Sequence, residues 1–172
     1  VIVRLKDLIS KNPQASHWSI SQNDTYGPCE CSGCENIDNQ YGGVPSGSLI
    51  HFVNQVAERF PNKVISTLAY QYSRKAPEGI KPAENVNIVL CTIELNRSRP
   101  IRTDPSSQGF VNDISNWKKL TNNILIWDYI VQFRNYLDPF PNLHVLQPNI
   151  QFFSDSGVHM MFEQGSNRSL SE

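Results

Sequence analysis

Five short apolar runs, spaced along the chain by amphipathic or loop-like segments, constrain this sequence more than anything else in it. Val64-Ile65-Ser66-Thr67-Leu68-Ala69-Tyr70, Val86-Asn87-Ile88-Val89-Leu90-Cys91-Thr92-Ile93 and Ile124-Leu125-Ile126-Trp127-Asp128-Tyr129 read as strands hidden on both faces. His17-Trp18-Ser19-Ile20-Ser21 and Val158 to Gly165 complete the set. Between them lie helical patterns. Ile2, Leu5, Leu8 and Ile9 recur at helical spacing until Asn12-Pro13 forbids continuation. Leu49, Phe52, Val53, Val56, Ala57 and Phe60 form an apolar stripe with Ser48 as its cap and Pro61 as its stop. Further helices are expected over 111–120 and 149–153, the last ending at Gly157. The stretch from Gln22 to about Ser46, rich in Gly, Pro, Cys and Asn, reads as one long loop.

Apolar strands alternating with amphipathic helices imply a parallel sheet covered on both faces, either doubly wound or a TIM barrel. The strand ends choose between them. Four of the five finish in or near a carboxylate, Asp24, Glu94, Asp128 or Glu163, and the fifth in Tyr70-Gln71-Tyr72. Polar groups at the exit of every strand are the habit of a (β/α)₈ barrel, whose active site is assembled there from all the βα loops. A doubly wound sheet would gather them at one switch point beside a glycine-rich phosphate loop, and the sequence has no such loop. Eight strands close a barrel, so the expectation is the C-terminal part of one catalytic domain over 1–172, about five βα units, with N-terminal strands missing.

Composition narrows the function. With 39% hydrophobic and 18% charged residues among 172, the chain can bury a core, and its net charge of −1 with scattered basic residues offers no face to nucleic acid. No apolar run approaches the roughly 20 residues that span a bilayer. His17, His51, His144 and His159 are dispersed without an HExxH pattern, and there is no G-x-S-x-G elbow. Cys29-x-Cys31-x-x-Cys34 could hold zinc, with Glu30, Glu35, Asp38 and His51 nearby, but one motif without its second Cys-x-x-Cys pair ranks below free thiols or a single disulfide. No cofactor is expected. Asn23-Asp24-Thr25, Asn96-Arg97-Ser98 and Asn167-Arg168-Ser169 match the short glycosylation acceptor pattern.

Strand-end carboxylates with aromatics suit glycoside cleavage, which needs one protonated carboxyl to donate to the leaving oxygen and a second, ionised group as nucleophile, base or orienter. Tyr70, Tyr72, Trp127 and Tyr129 would stack on sugar rings, and Gln22, Asn23, Gln71, Gln147 and Gln164 would bond their hydroxyls. Each acid alone has an ordinary competing use, as a helix cap or turn former, and Asn23-Asp24-Thr25 is also common turn chemistry. A catalytically inactive carbohydrate-binding barrel is the alternative from a different class, and a metal-dependent hydrolase organised by the cysteine loop is a third.

The ordered motifs Trp18-Ser19-Ile20-Ser21-Gln22-Asn23-Asp24, Cys29-x-Cys31-x-x-Cys34, Ser46-Gly47-Ser48-Leu49 with Phe52-Val53-Asn54, Leu68-Ala69-Tyr70-Gln71-Tyr72, Ile126-Trp127-Asp128-Tyr129, Pro139-Phe140-Pro141-Asn142 and Phe162-Glu163-Gln164-Gly165 resemble bacterial proteins of the domain of unknown function 4838, which underlies glycoside hydrolase family 163. The resemblance runs over nearly the whole chain. It implies a secreted, periplasmic or cell-surface TIM-barrel enzyme acting on an oligosaccharide or glycoprotein glycan, with endo-β-N-acetylglucosaminidase activity on complex N-glycans among its members. Such enzymes are thought to use the substrate's own acetamido group as nucleophile, with one carboxyl as acid/base and another orienting the acetamide. By position, Glu94 is favoured as acid/base, Asp24 or Asp128 as the orienting group, and Glu163 as a ligand of sugar hydroxyls.

Overall fold

The computed structural model describes residues 1–133 and 139–165, so the acceptor triplet at Asn167 lies outside the described residues. The elements run α1 (Ile2–Lys11), β1 (His17–Ser19), α2 (Ser32–Gln40), α3 (Ser46–Ala57), β2 (Val64–Ala69), β3 (Val86–Cys91), α4 (Gln108–Leu120), β4 (Ile124–Tyr129), α5 (Leu143–Asp155) and β5 (Met160–Gln164). Single 3₁₀ turns over Gln71–Ser73 and Pro105–Ser107 follow β2 and precede α4.

All five strands belong to one sheet in the order β1-β2-β3-β4-β5. The β1–β2 pair is parallel with Trp18 opposite Ile65, and the β4–β5 pair is parallel with Asp128 opposite Glu163. A doubly wound sheet reverses its strand order at a switch point, whereas this order follows the sequence without reversal. The fold is therefore α/β with the winding of a partial (β/α)₈ barrel. The chain forms two compact units, Val1–Val89 and Leu90–Glu172.

In the first unit, α3 turns Ile50, Val53, Val56 and Ala57 inward at helical spacing, and Ile65, Ala69, Val86 and Ile88 of the strands are equally hidden. The Asn85 side-chain amide donates to the carbonyls of Ala57, Phe60 and Lys63 at 3.0 to 3.1 Å, satisfying the end of α3 and the turn after it. In the second unit, Phe110, Ile114 and Trp117 of α4 and Phe153 of α5 are buried with Ile124 and Ile126 of β4. Phe110 and Phe153 meet edge to face at 6.4 Å.

Three expectations from the sequence are corrected. The stretch from Gln22 to Ser46 is not one loop, because it contains α2. Ser48 does not cap α3; its own N–H donates to the Asp38 carboxylate of α2 at 2.7 Å, so the anion that a helix N-terminus favours comes from a neighbouring helix. The last helix also begins earlier than the sequence predicts, at Leu143, and carries Pro148 in its interior.

Candidate active site

Alternation along a strand sends successive side chains to opposite faces, and register-paired residues of neighbouring strands share a face. On β4 and β5 this separates the predicted site residues into two sets. Trp127, Tyr129, Phe162 and Gln164 take one face. The Trp127 and Tyr129 rings are stacked at 5.9 Å with 15° between their planes, Phe162 meets Trp127 edge to face at 5.1 Å, and the Trp127 indole N–H donates to Gln164 Oε1 at 2.7 Å. Trp127 and Tyr129 are only half-buried, leaving ring area accessible.

Glu94 follows β3 on an exposed turn. Nearby, the buried Cys91 thiol at the end of β3 takes a hydrogen bond from the Tyr129 side chain. Burial is the main reason that this thiol is pushed up to about 12, and it is a neutral packing group at physiological pH. Glu94 thus stands at the exit of β3, the strand beside β4 and its aromatic face. Arg97 reinforces that face: Nε donates to the Tyr129 carbonyl at 2.7 Å, another guanidinium nitrogen to the Ile93 carbonyl at 2.9 Å, and the guanidinium carbon stands 6.0 Å from the Tyr129 ring centre.

Asp128 and Glu163 take the opposite face. Asp128 accepts from the Thr92 hydroxyl at 2.5 Å, and the same Thr92 oxygen accepts the Tyr129 N–H at 3.1 Å, which links β3 to β4. Around Asp128, residues Thr92, Arg97, Asn142, Val145 and Asn149 line a cavity of about 10 Å³. That volume holds no more than one water and excludes a sugar. Burial raises the Asp128 carboxyl, opposed by Thr92, the Tyr129 N–H and Glu163. Glu163 is pushed up to about 7, first by burial and then by the facing Asp128. Both Glu163 oxygens are buried and face Asp128, so the two carboxyls disfavour each other's ionisation and a proton shared between them is favoured.

In the first unit, Gln22 donates from Nε2 to the Tyr70 carbonyl at 3.1 Å and accepts a short hydrogen bond from the Ser73 hydroxyl. The Tyr70 hydroxyl donates to Asp24 at 3.1 Å. Gln71, forced to a positive φ of 49°, donates to the Tyr70 hydroxyl at 3.0 Å. A cleft of about 320 Å³ opens beside this network, lined by Gln22, Asn23, Tyr72, Phe52, Cys29 and Cys34 among others. Its size falls within the range of small-ligand sites. Gln147 stands apart from both groupings, exposed on α5 rather than at a strand exit.

The sequence reading missed the partners Ser73, Thr92 and Arg97. Ser73 and Arg97 are ordinary loop residues in sequence and Thr92 falls inside the third apolar run; a strand-exit hydroxyl or cation opposite a predicted acid is the pattern that would have singled out Thr92 and Arg97. His51, named as a neighbour of the cysteines, is stacked on Tyr41 at 6.4 Å and bonded to Gln55.

Sequence-ordered parallel strands with polar and aromatic groups at their C-terminal ends define this as part of a barrel-type α/β protein, the class in which sites are built at strand exits. A family model matches residues 1–172, and the chain belongs to the family described as domain of unknown function 4838. No curated protein and no solved structure matches it. Among the described residues, no helix is long and apolar enough to cross a membrane.

Proposed function

We propose that this chain is part of a glycoside hydrolase acting on glycans that contain N-acetylglucosamine, with Glu94 as acid/base and the Trp127–Tyr129 face as the sugar platform. The observation that carries the reading is the Trp127–Tyr129 aromatic face at the exit of β4, with Glu94 on the turn that leaves the neighbouring strand β3. Flat apolar faces favour the C–H surface of a pyranose, and Gln164 and Arg97 offer donors at the rim. In a substrate-assisted reaction, the Glu94 carboxyl would give its proton to the glycosidic oxygen as the acetamido oxygen attacks C1. The resulting carboxylate would then take a proton from the water that opens the cyclic intermediate, retaining configuration. Asp128, walled into a cavity too small for sugar, is assigned no contact with substrate. A secreted or cell-surface protein fits that substrate class.

The test is release of glycan from a complex-type N-glycoprotein by the full-length protein, read by mass spectrometry. Glu94→Gln should lower turnover by at least about 100-fold, the usual worth of a general acid, without changing the thermal melt. Unchanged turnover removes Glu94 from the role. Glycan binding without release from the wild type would instead favour the inactive carbohydrate-binding barrel.

A further inference from the structure

The cysteine loop plays no part in the glycosidase reading, yet it is the densest group of metal-ligating atoms among the described residues. The sulfurs of Cys29, Cys31 and Cys34 lie within 4.8 Å of one another, and none is in a disulfide. Three thiolates around a tetrahedral zinc ion, at about 2.3 Å each, stand about 3.8 Å apart, so closing the set asks for a movement of about 1 Å. Two of the three are exposed and on loop backbone, where such a movement meets little resistance.

Cys31 is the N-cap of α2, a helix of 9 residues, so its sulfur stands at the positive end of that helix beside those of Cys29 and Cys34. No His, Asp or Glu among the described residues completes the group. The Asp38 carboxylate is engaged at the start of α3, and His51 lies between Tyr41 and Gln55.

We propose that Cys29, Cys31 and Cys34 bind one zinc ion through their three sulfurs, with the fourth coordination position taken by an exogenous ligand. Binding replaces the three thiol protons, which leave to solvent, and involves no change of oxidation state. The all-sulfur donor set selects a borderline or soft ion over magnesium or calcium. Because Cys29 and Cys34 also line the cleft of about 320 Å³, a small anion or a thiol held there is the class of fourth ligand that the site would take.

The experiment is a cobalt titration of the full-length protein, reduced and stripped of metal. One cobalt per chain should bind with an intense near-ultraviolet thiolate-to-cobalt band and the visible bands of tetrahedral geometry, and one equivalent of zinc should abolish both. Cys31→Ser and Cys34→Ser should each weaken cobalt binding by about 100-fold or more with an unchanged far-ultraviolet circular dichroism spectrum. A titration that shows no thiolate band overturns the proposal, as does a Cys31→Ser variant that binds cobalt as tightly as wild type. Because the wild-type titration needs no variant, a misfolded serine protein does not protect the proposal. Glycan release plays no part in the readout, so loss of the glycosidase reading would leave this one standing.

Discussion

Glu163 titrates at about 7 in the folded chain against an ordinary value of 4.5, and the direction of that shift fixes how it acts on stability. Below pH 4.5 the group is protonated folded or unfolded and costs nothing. As pH rises from 4.5 to 7, the unfolded chain ionises while the folded one holds its proton, so stability falls through that window and the penalty is complete above it. Glu163→Gln should accordingly raise the melting temperature at pH 8 and leave it unchanged at pH 4. The side chain is only half-buried, so solvent screening reduces the gain to on the order of 1 kcal/mol. An equal gain at both pH values would show that packing, not charge, is responsible. Thr92 illustrates the opposite economy of a single residue: one hydroxyl donates to Asp128 and accepts from the Tyr129 N–H, leaving neither group of β4 unpartnered in its buried position.

At the scale of elements, α2 and α3 pack so closely that one methyl group decides the fit. A Cβ built at Gly47 would stand 2.9 Å from the Tyr41 Cβ and 3.4 Å from the Asp38 Cα. Gly47→Ala should therefore cost about 1–3 kcal/mol by overpacking, although alanine is the better helix former, and urea denaturation would read it. A stabilised variant would mean that α2 is free to shift. This packing also explains why α2 is illegible in the sequence: Ser32 to Gln40 is poor in strong helix formers, buries none of its residues, and is held by tertiary contact through Asp38. The start of α5 is hidden for another reason, since Pro148 marks a break in any local reading while the helix runs through it. The strands are legible because apolar runs bounded by turn residues leave few other solutions. What the sequence reading treated as one rim of strand-end groups divides by simple alternation: Asp128 and Glu163 share a face, and Trp127 and Tyr129 face the other way. That distinction needs the period of two and the register, not only the position of each residue in its run.

For the whole molecule, the place of β3 in the sheet has a measurable result. It is the third of five strands and all six of its residues are buried, so its amides should be the slowest to exchange with deuterated solvent. The three residues of β1, largely exposed, should exchange much sooner. Equal rates in the two strands would show that the sheet opens as one body. The order β1 to β5 has a further consequence for how the chain is made. In a sheet that follows the sequence, each strand after β1 leaves the ribosome with one neighbour already synthesised and the other, where there is one, next in line. Pairing can then advance in step with translation, and no strand has to wait exposed for a partner encoded far downstream.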